Sequence, residues 1–231
     1  KTAVVCGDVH YSYDQLNRLS NRLAHKLHAE GVGRGSKVAL VLGRSVDLWV
    51  ALWAVLKTGA AYVPVEISYP QDRIDFIISD CGASHVIAQQ ATEALVSGFA
   101  GKVLLADQFA EQLSDFSHAN LATVPTPDDL FYLIYTSGST GKPKGAGVFH
   151  LGEANLQHWY LQDYAVGEHD SAYVISALGF DLTQKNLFGL LLCGGTVVLP
   201  SQEGYDAELF VQEIAAHRVS IMNCAPSAFY P

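Results

Sequence analysis

Positive charge is in short supply in this chain: 14 lysines and arginines stand against 23 aspartates and glutamates, for a net charge of −9 over 231 residues. General nucleic-acid binding needs a basic surface to neutralise backbone phosphates, so this balance argues against it. Cysteine is also sparse. Cys6, Cys81, Cys193 and Cys224 lie far apart, with no Cys-x-x-Cys pair and no histidine at ligand spacing beside them, so no metal site is expected. Their mostly apolar flanks suit buried free thiols in a reducing compartment. Long hydrophobic runs are missing as well: Val46–Leu56 is too short and too interrupted for a bilayer span, and the N-terminus lacks a basic region ahead of an apolar signal core. A cytoplasmic protein, or a piece of one, without a membrane partner is expected. The nine histidines are scattered, and His25 and His28 read as surface positions on a helix.

What is present is an apolar, regularly alternating chain. With 49% hydrophobic residues it can bury a sizeable core as one large domain or two small ones. Ser12 and Gln15 fit a capping box, and Leu16, Leu19, Leu23 and Leu27 then recur at helical steps until Gly31. Val38–Leu42 reads as a buried strand, Ser45 as the cap of a helix ending near Gly59, and Ala61–Val65 as another strand. A helix from Gln71 and strands at His85–Ala88 and Val103–Ala106 follow. From Asp107 to Asp129 the chain is more polar, with Pro125 and Pro127, and reads either as a connection between approximate subdomains 1–125 and 126–231 or as the carrier of a short helix. The second part reads as strand Gly145–Phe149, helix Glu153–Leu161, strand Ala172–Ser176, helix Leu182–Leu192, strand Thr196–Leu199, helix Ala207–His217 and strand Val219–Asn223. Such alternation implies an α/β fold of parallel strands joined by right-handed helical crossovers, with helices on the faces of layered sheets.

The most informative segment is Tyr135-Thr136-Ser137-Gly138-Ser139-Thr140-Gly141-Lys142-Pro143-Lys144-Gly145, directly after the apolar run Phe131–Ile134. Glycines let a backbone approach a ligand closely, and hydroxyls, amides and ammonium groups supply the donors a polyphosphate needs. An ordinary P-loop is absent, because only two residues separate Gly138 from Gly141 and proline follows Lys142. A flexible polar linker is the other reading of such composition, although two lysines and a proline at fixed places are poor linker chemistry.

From Leu133 to Gly145 the segment closely resembles the signature of the adenylate-forming superfamily, which includes acyl-CoA synthetases, luciferases and the adenylation domains of nonribosomal peptide synthetases. Tyr11–Leu16, Leu56–Val65 and Phe180-Asp181-Leu182-Thr183 are similar to the first, second and fourth motifs of the peptide synthetase branch, in matching order. The resemblance runs from about Tyr11 to the last residue. It implies layered, mostly parallel sheets flanked by helices, the N-terminal large-domain part of such an enzyme. It also implies activation of an amino acid by ATP and Mg²⁺ to an aminoacyl adenylate and pyrophosphate, then transfer to the phosphopantetheine thiol of a carrier domain, often beside a condensation domain.

Carried over residue by residue, the resemblance places Thr136, Ser137, Gly138, Ser139, Thr140, Gly141 and Lys144 on the ATP phosphates, with Lys142 a weaker candidate. It places Asp181 on the substrate ammonium and Leu182, Lys185 and Asn223 on the side-chain pocket. Asp181 also reads as a plain cap of its helix, and Lys185 as a solvent-facing lysine. An enclosed lysine would favour a polar or acidic amino acid, since its donors would otherwise go unpaired. Leu151 stands where the family commonly has arginine in a His-x-Gly-x-x-Asn region that His150, Gly152 and Asn155 match loosely. No residue matches the family's later Tyr-Gly-Pro-Thr-Glu motif, ribose-binding aspartate, hinge or C-terminal small domain with its catalytic lysine. Residues 1–231 alone are therefore expected to be inactive and to contain no complete catalytic set. A fragment of an acyl-CoA or aryl-acid ligase, or a non-catalytic phosphate-binding or interaction module, are the competing expectations.

Overall fold

The computed structural model describes residues 1–137, 142–202 and 204–226. Among them the chain forms β1 (Thr2–Cys6), β2 (Val9–Ser12), α1 (Tyr13–Ala29), β3 (Lys37–Val41), α2 (Val46–Lys57), β4 (Ala61–Pro64), α3 (Gln71–Asp80), β5 (His85–Ala88) and β6 (Lys102–Leu105). It continues with α4 (Phe109–Gln112), β7 (Leu130–Thr136), β8 (Lys144–Phe149), α5 (His150–Asp163), β9 (Ser171–Tyr173), α6 (Asp181–Cys193), β10 (Thr196–Leu199), α7 (Ala207–Ala216) and β11 (Ile221–Met222). Two compact units emerge, and neither is one continuous stretch. The first gathers Lys1–Asp14, Arg44–Val46 and Ala154–Pro231; the second comprises Gln15–Gly43 and Asp47–Glu153, including the polar Asp107–Asp129 segment.

The second unit is built on a sheet ordered β6-β5-β3-β4-β7-β8. β4 and β5 are buried at every position and β3 at all but its first, as apolar strands covered on both faces require. On α3, Ile74, Ile77 and Ile78 fall at three- and four-residue spacing and pack with Val63, Val86 and Ala88 in one core cluster. The first unit's sheet is ordered β11-β9-β10-β1-β2, and Tyr173, Val198 and Phe210 of α7 share a smaller cluster there.

The expectation of parallel strands holds for most of both sheets but not for two pairs: β1 and β2 are antiparallel, and so are β7 and β8. Chain length decides this. Two residues join β1 to β2 and seven join β7 to β8, whereas a parallel crossover needs about a dozen or more. The β1–β2 hairpin was not anticipated at all. β9 and β11 are shorter than the expected runs, and α5 begins at His150 rather than Glu153. The Ser45 cap does not form, since its hydroxyl is buried without a hydrogen-bond partner. All four cysteines are free, but only Cys81 is fully buried. Among the described residues, no helix is long and apolar enough to cross a membrane.

Candidate functional site

In the second unit, the phosphate-loop candidates sit on the connection between β7 and β8. Thr136 is the last residue of β7 and Lys144 the first of β8, and the two are direct cross-strand partners. Facing positions in an antiparallel pair bring side chains within reach of one another, so a hydroxyl and an ammonium share the mouth of the connection. Thr136, Ser137, Lys142 and Lys144 are all exposed. Gly138, Ser139, Thr140 and Gly141 lie outside the described residues. The foot is firmly held. Tyr135 is buried, and its hydroxyl donates to Asp80 Oδ2 on α3 at 2.6 Å; burial, followed by this carboxylate, pushes the phenol's pKa well up. Opposite Tyr135, Gly145 packs so closely that an added Cβ would lie 3.1 Å from Leu133 Cδ1 and 3.2 Å from Tyr135 Cζ. Because β7 runs parallel to β4, the connection opens at the carboxyl ends of parallel strands, the usual place for ligands in α/β sheets.

In the first unit, the amino-acid candidates also gather at carboxyl ends. Asp181 opens α6 on the chain leaving β9, and Asn223 directly follows β11, the parallel neighbour of β9. Phe180 occupies the N-cap position with extended backbone and no side-chain cap. Asp181 is therefore the first helical residue; its exposed carboxylate accepts from the Leu182 N–H at 2.7 Å. That contact engages Oδ1 and uses part of the carboxylate's capacity. Lys185 is half-buried, and its ammonium donates to the Leu182 carbonyl at 3.2 Å. Burial lowers its pKa, and the nearby Asp181 carboxylate works against that shift. Leu182 and Asn223 are half-buried, and the Asn223 carbonyl lies 3.4 Å from Asn186 Nδ2.

Reading the sequence left three polar groups without a role. Thr183 and Gln184 have no exposed surface, and both reach back to the loop ahead of Asp181. Thr183 Oγ1 donates to the Ala177 carbonyl at 2.7 Å, and Gln184 Nε2 to the Leu178 carbonyl at 2.8 Å and the Phe180 carbonyl at 3.3 Å. Asn186 is the third. The signal was available in the pattern: polar residues on the helix face that continues through Leu187, Leu190 and Leu191 are out of place unless they bond. At its far end α6 stops on Gly194, whose left-handed φ of 85° favours glycine. At the start of α5, the His150 ring packs edge-on to Phe131 at 4.9 Å and burial lowers its pKa. Leu151 is 62% exposed at this helix start.

The chain belongs to the AMP-binding enzyme family, which it matches over residues 1–230. Within it, the chain is of the nonribosomal peptide synthetase adenylation type and corresponds to the N-terminal part of that domain. It is 36% identical over 230 residues to tyrocidine synthase 1 of Brevibacillus parabrevis, covering 98% of this chain and 21% of that protein. Bacitracin synthase 2 of Bacillus licheniformis is 31% identical over 226 residues, covering 97% of this chain and 8% of its own length. In structure, the chain superposes with a TM-score of 0.91 on the peptide synthetase FmoA3 in its α-methyl-L-serine-AMP bound form, at 31% identity, covering 99% of this chain and 25% of that one. The inhibitor-bound N-terminal domain of FACL13 from Mycobacterium tuberculosis gives 0.89 at 26% identity, covering 98% and 59%.

Proposed function

We propose that the whole protein activates a polar or acidic amino acid with ATP, forming an aminoacyl adenylate and pyrophosphate and passing the acyl group to the phosphopantetheine thiol of a carrier domain. The observation that carries this reading is Asp181, an exposed carboxylate on the chain leaving the carboxyl end of β9, which runs parallel to both its neighbours, one helical turn from the half-buried Lys185. A carboxylate there suits a substrate ammonium, and a donor-only lysine suits an acceptor at the end of the substrate side chain. Fatty and aryl acids carry no ammonium, so Asp181 would have no use in activating them. Carrier and condensation domains are the partners such a protein serves.

Both reactants are anions, so positioning and screening dominate the chemistry. The donor set at the β7–β8 connection, hydroxyls of Thr136 and Ser137 with the ammonium groups of Lys142 and Lys144, fits a polyphosphate with its Mg²⁺. In this reading Gly138, Ser139, Thr140 and Gly141 complete the cradle. Asp181 fixes the α-ammonium, Leu182 and Asn223 shape the pocket, and Lys185 selects the side chain. ATP supplies the adenylyl group, which the substrate carboxylate oxygen takes by displacing pyrophosphate.

The test is amino-acid-dependent exchange of pyrophosphate into ATP by the full-length protein across the proteinogenic amino acids. Exchange with polar or acidic substrates is expected, and residues 1–231 alone are expected to be silent. Exchange driven by fatty or aryl acids instead would move the protein to the other ligases, and none at all would leave a binding module.

A further inference from the structure

Asn186 occupies the second turn of α6, where only 2% of it is exposed. Its Nδ2 faces two backbone carbonyls, that of Leu182 at 3.5 Å and that of Asn223 at 3.4 Å. One belongs to the helix that carries Asp181 and Lys185, the other to the segment leaving β11. Its Oδ1 is buried with no hydrogen-bond partner. Turning the amide over would aim that oxygen at two carbonyl oxygens, so the surroundings select the donor-facing orientation. A leucine would fill the same volume without burying an unmatched oxygen. The carboxamide is therefore a costly choice at this position unless its two N–H groups serve a purpose.

The Leu182 carbonyl is also contested. Helix geometry gives it the Asn186 backbone N–H, and Lys185 Nζ donates to it at 3.2 Å as well. With two lone pairs on that oxygen, Asn186 Nδ2 and Lys185 share what remains. The long 3.5 Å contact of Nδ2 fits such sharing.

We propose that Asn186 is a specificity-determining positioning residue. It ties the exit of β11 at Asn223 to the first turn of α6, holding the Asn223 backbone to the helix that carries Asp181 and Lys185. Without those donors the Asn223 segment is no longer held to that turn, and the pocket loses part of its means of telling acceptor-bearing from apolar amino acids. This rests on the amino-acid activation reading.

The experiment uses the full-length protein as wild type, Asn186→Leu, which loses both donors at similar volume, and Asn186→Asp, which keeps shape but has at most one O–H to give to the two carbonyls. The best wild-type substrate should show a KM raised about tenfold in both variants, the effect of one such bond, with KM for ATP unchanged. The preference for acceptor-bearing over apolar amino acids should narrow by a similar factor. Hydrogen exchange should quicken across Ile221–Cys224 and stay unchanged in β10. Unaltered amino-acid KM and substrate spectrum in a folded variant would overturn the proposal, as would equal losses toward ATP and amino acid. Unchanged exchange at Ile221–Cys224 would overturn the tie to β11. Absence of amino-acid-dependent turnover in the wild type would instead bring down the activation reading, and the specificity role with it.

Discussion

Helices α2 and α6 are both sunk into their surroundings, yet they are filled in opposite ways. α2 reads Val46-Asp47-Leu48-Trp49-Val50-Ala51-Leu52-Trp53-Ala54-Val55-Leu56-Lys57 and buries nearly every apolar side chain, with Trp49, Val50, Ala51, Leu52 and Ala54 fully inaccessible. α6 buries Thr183, Gln184 and Asn186 within its first two turns and becomes apolar only from Leu187. Burial by itself does not separate the two. What separates them is what the buried groups bond to: α2 contributes packing, while the polar residues of α6 fasten the loop ahead of Asp181 and the exit of β11. The first turns of α6 place their polar groups on neighbouring backbone, which fixes the geometry of the segment around Asp181.

That contrast can be broken at its packing end first. Replacing Trp49 by alanine empties a fully buried indole site and should cost about 3–5 kcal/mol of stability, read from urea unfolding of the purified protein. A loss under about 1 kcal/mol would mean that α2 is not the packed element described. Gln184→Leu keeps volume but strips two donors from the Leu178 and Phe180 carbonyls, which should cost about 1–3 kcal/mol and raise the amino-acid KM as the loop before Asp181 loosens. A stability loss with KM unchanged would make Gln184 a packing residue like those of α2. Lys144→Ala should raise KM for ATP by about tenfold, in line with loss of a charge-assisted contact, and leave the amino-acid KM in place.

The smallest effect concerns acid. Asp129 accepts from the Thr126 N–H at 2.6 Å and pairs with Arg34 Nε at 2.9 Å; chiefly through the former, its pKa falls from 3.8 to about 2. A depressed folded-state pKa gives stability that is present above the unfolded value and lost as pH falls through the folded one. Asp129→Asn should therefore unfold at lower urea than wild type at pH 6, and the gap should close between pH 4 and pH 2. A gap independent of pH would show that the carboxylate's charge is not what matters.

The fold was legible where period and punctuation agreed. The apolar runs His85–Ala88 and Thr196–Leu199 and the helix start at Gln71 after Pro70 stand where the pattern puts them. The two antiparallel pairs were hidden because alternation of strand and helix says nothing about a hairpin, and only the short connections forbid a crossover. Of the candidate site, motifs nominate the residues, and the neighbourhood of Asp181, Leu182 and Lys185, which one helix start supplies, was readable. The approach of Asn223 was not, because it depends on β11 lying beside β9, a long-range pairing with no local signal. Asn186 was missed for the same reason: a mid-helix asparagine has meaning only once the backbone across from it is known.

The most direct test is the amino-acid dependence of pyrophosphate exchange by Asp181→Ala beside wild type, in the full-length protein. We expect the amino-acid KM to rise by about a hundredfold, as loss of a charged hydrogen-bonded contact allows, with KM for ATP and folded stability nearly unchanged because Asp181 is exposed. An unaltered amino-acid KM, or an equal loss toward both substrates, would contradict the assignment of Asp181 to the substrate and reduce it to the first residue of a helix.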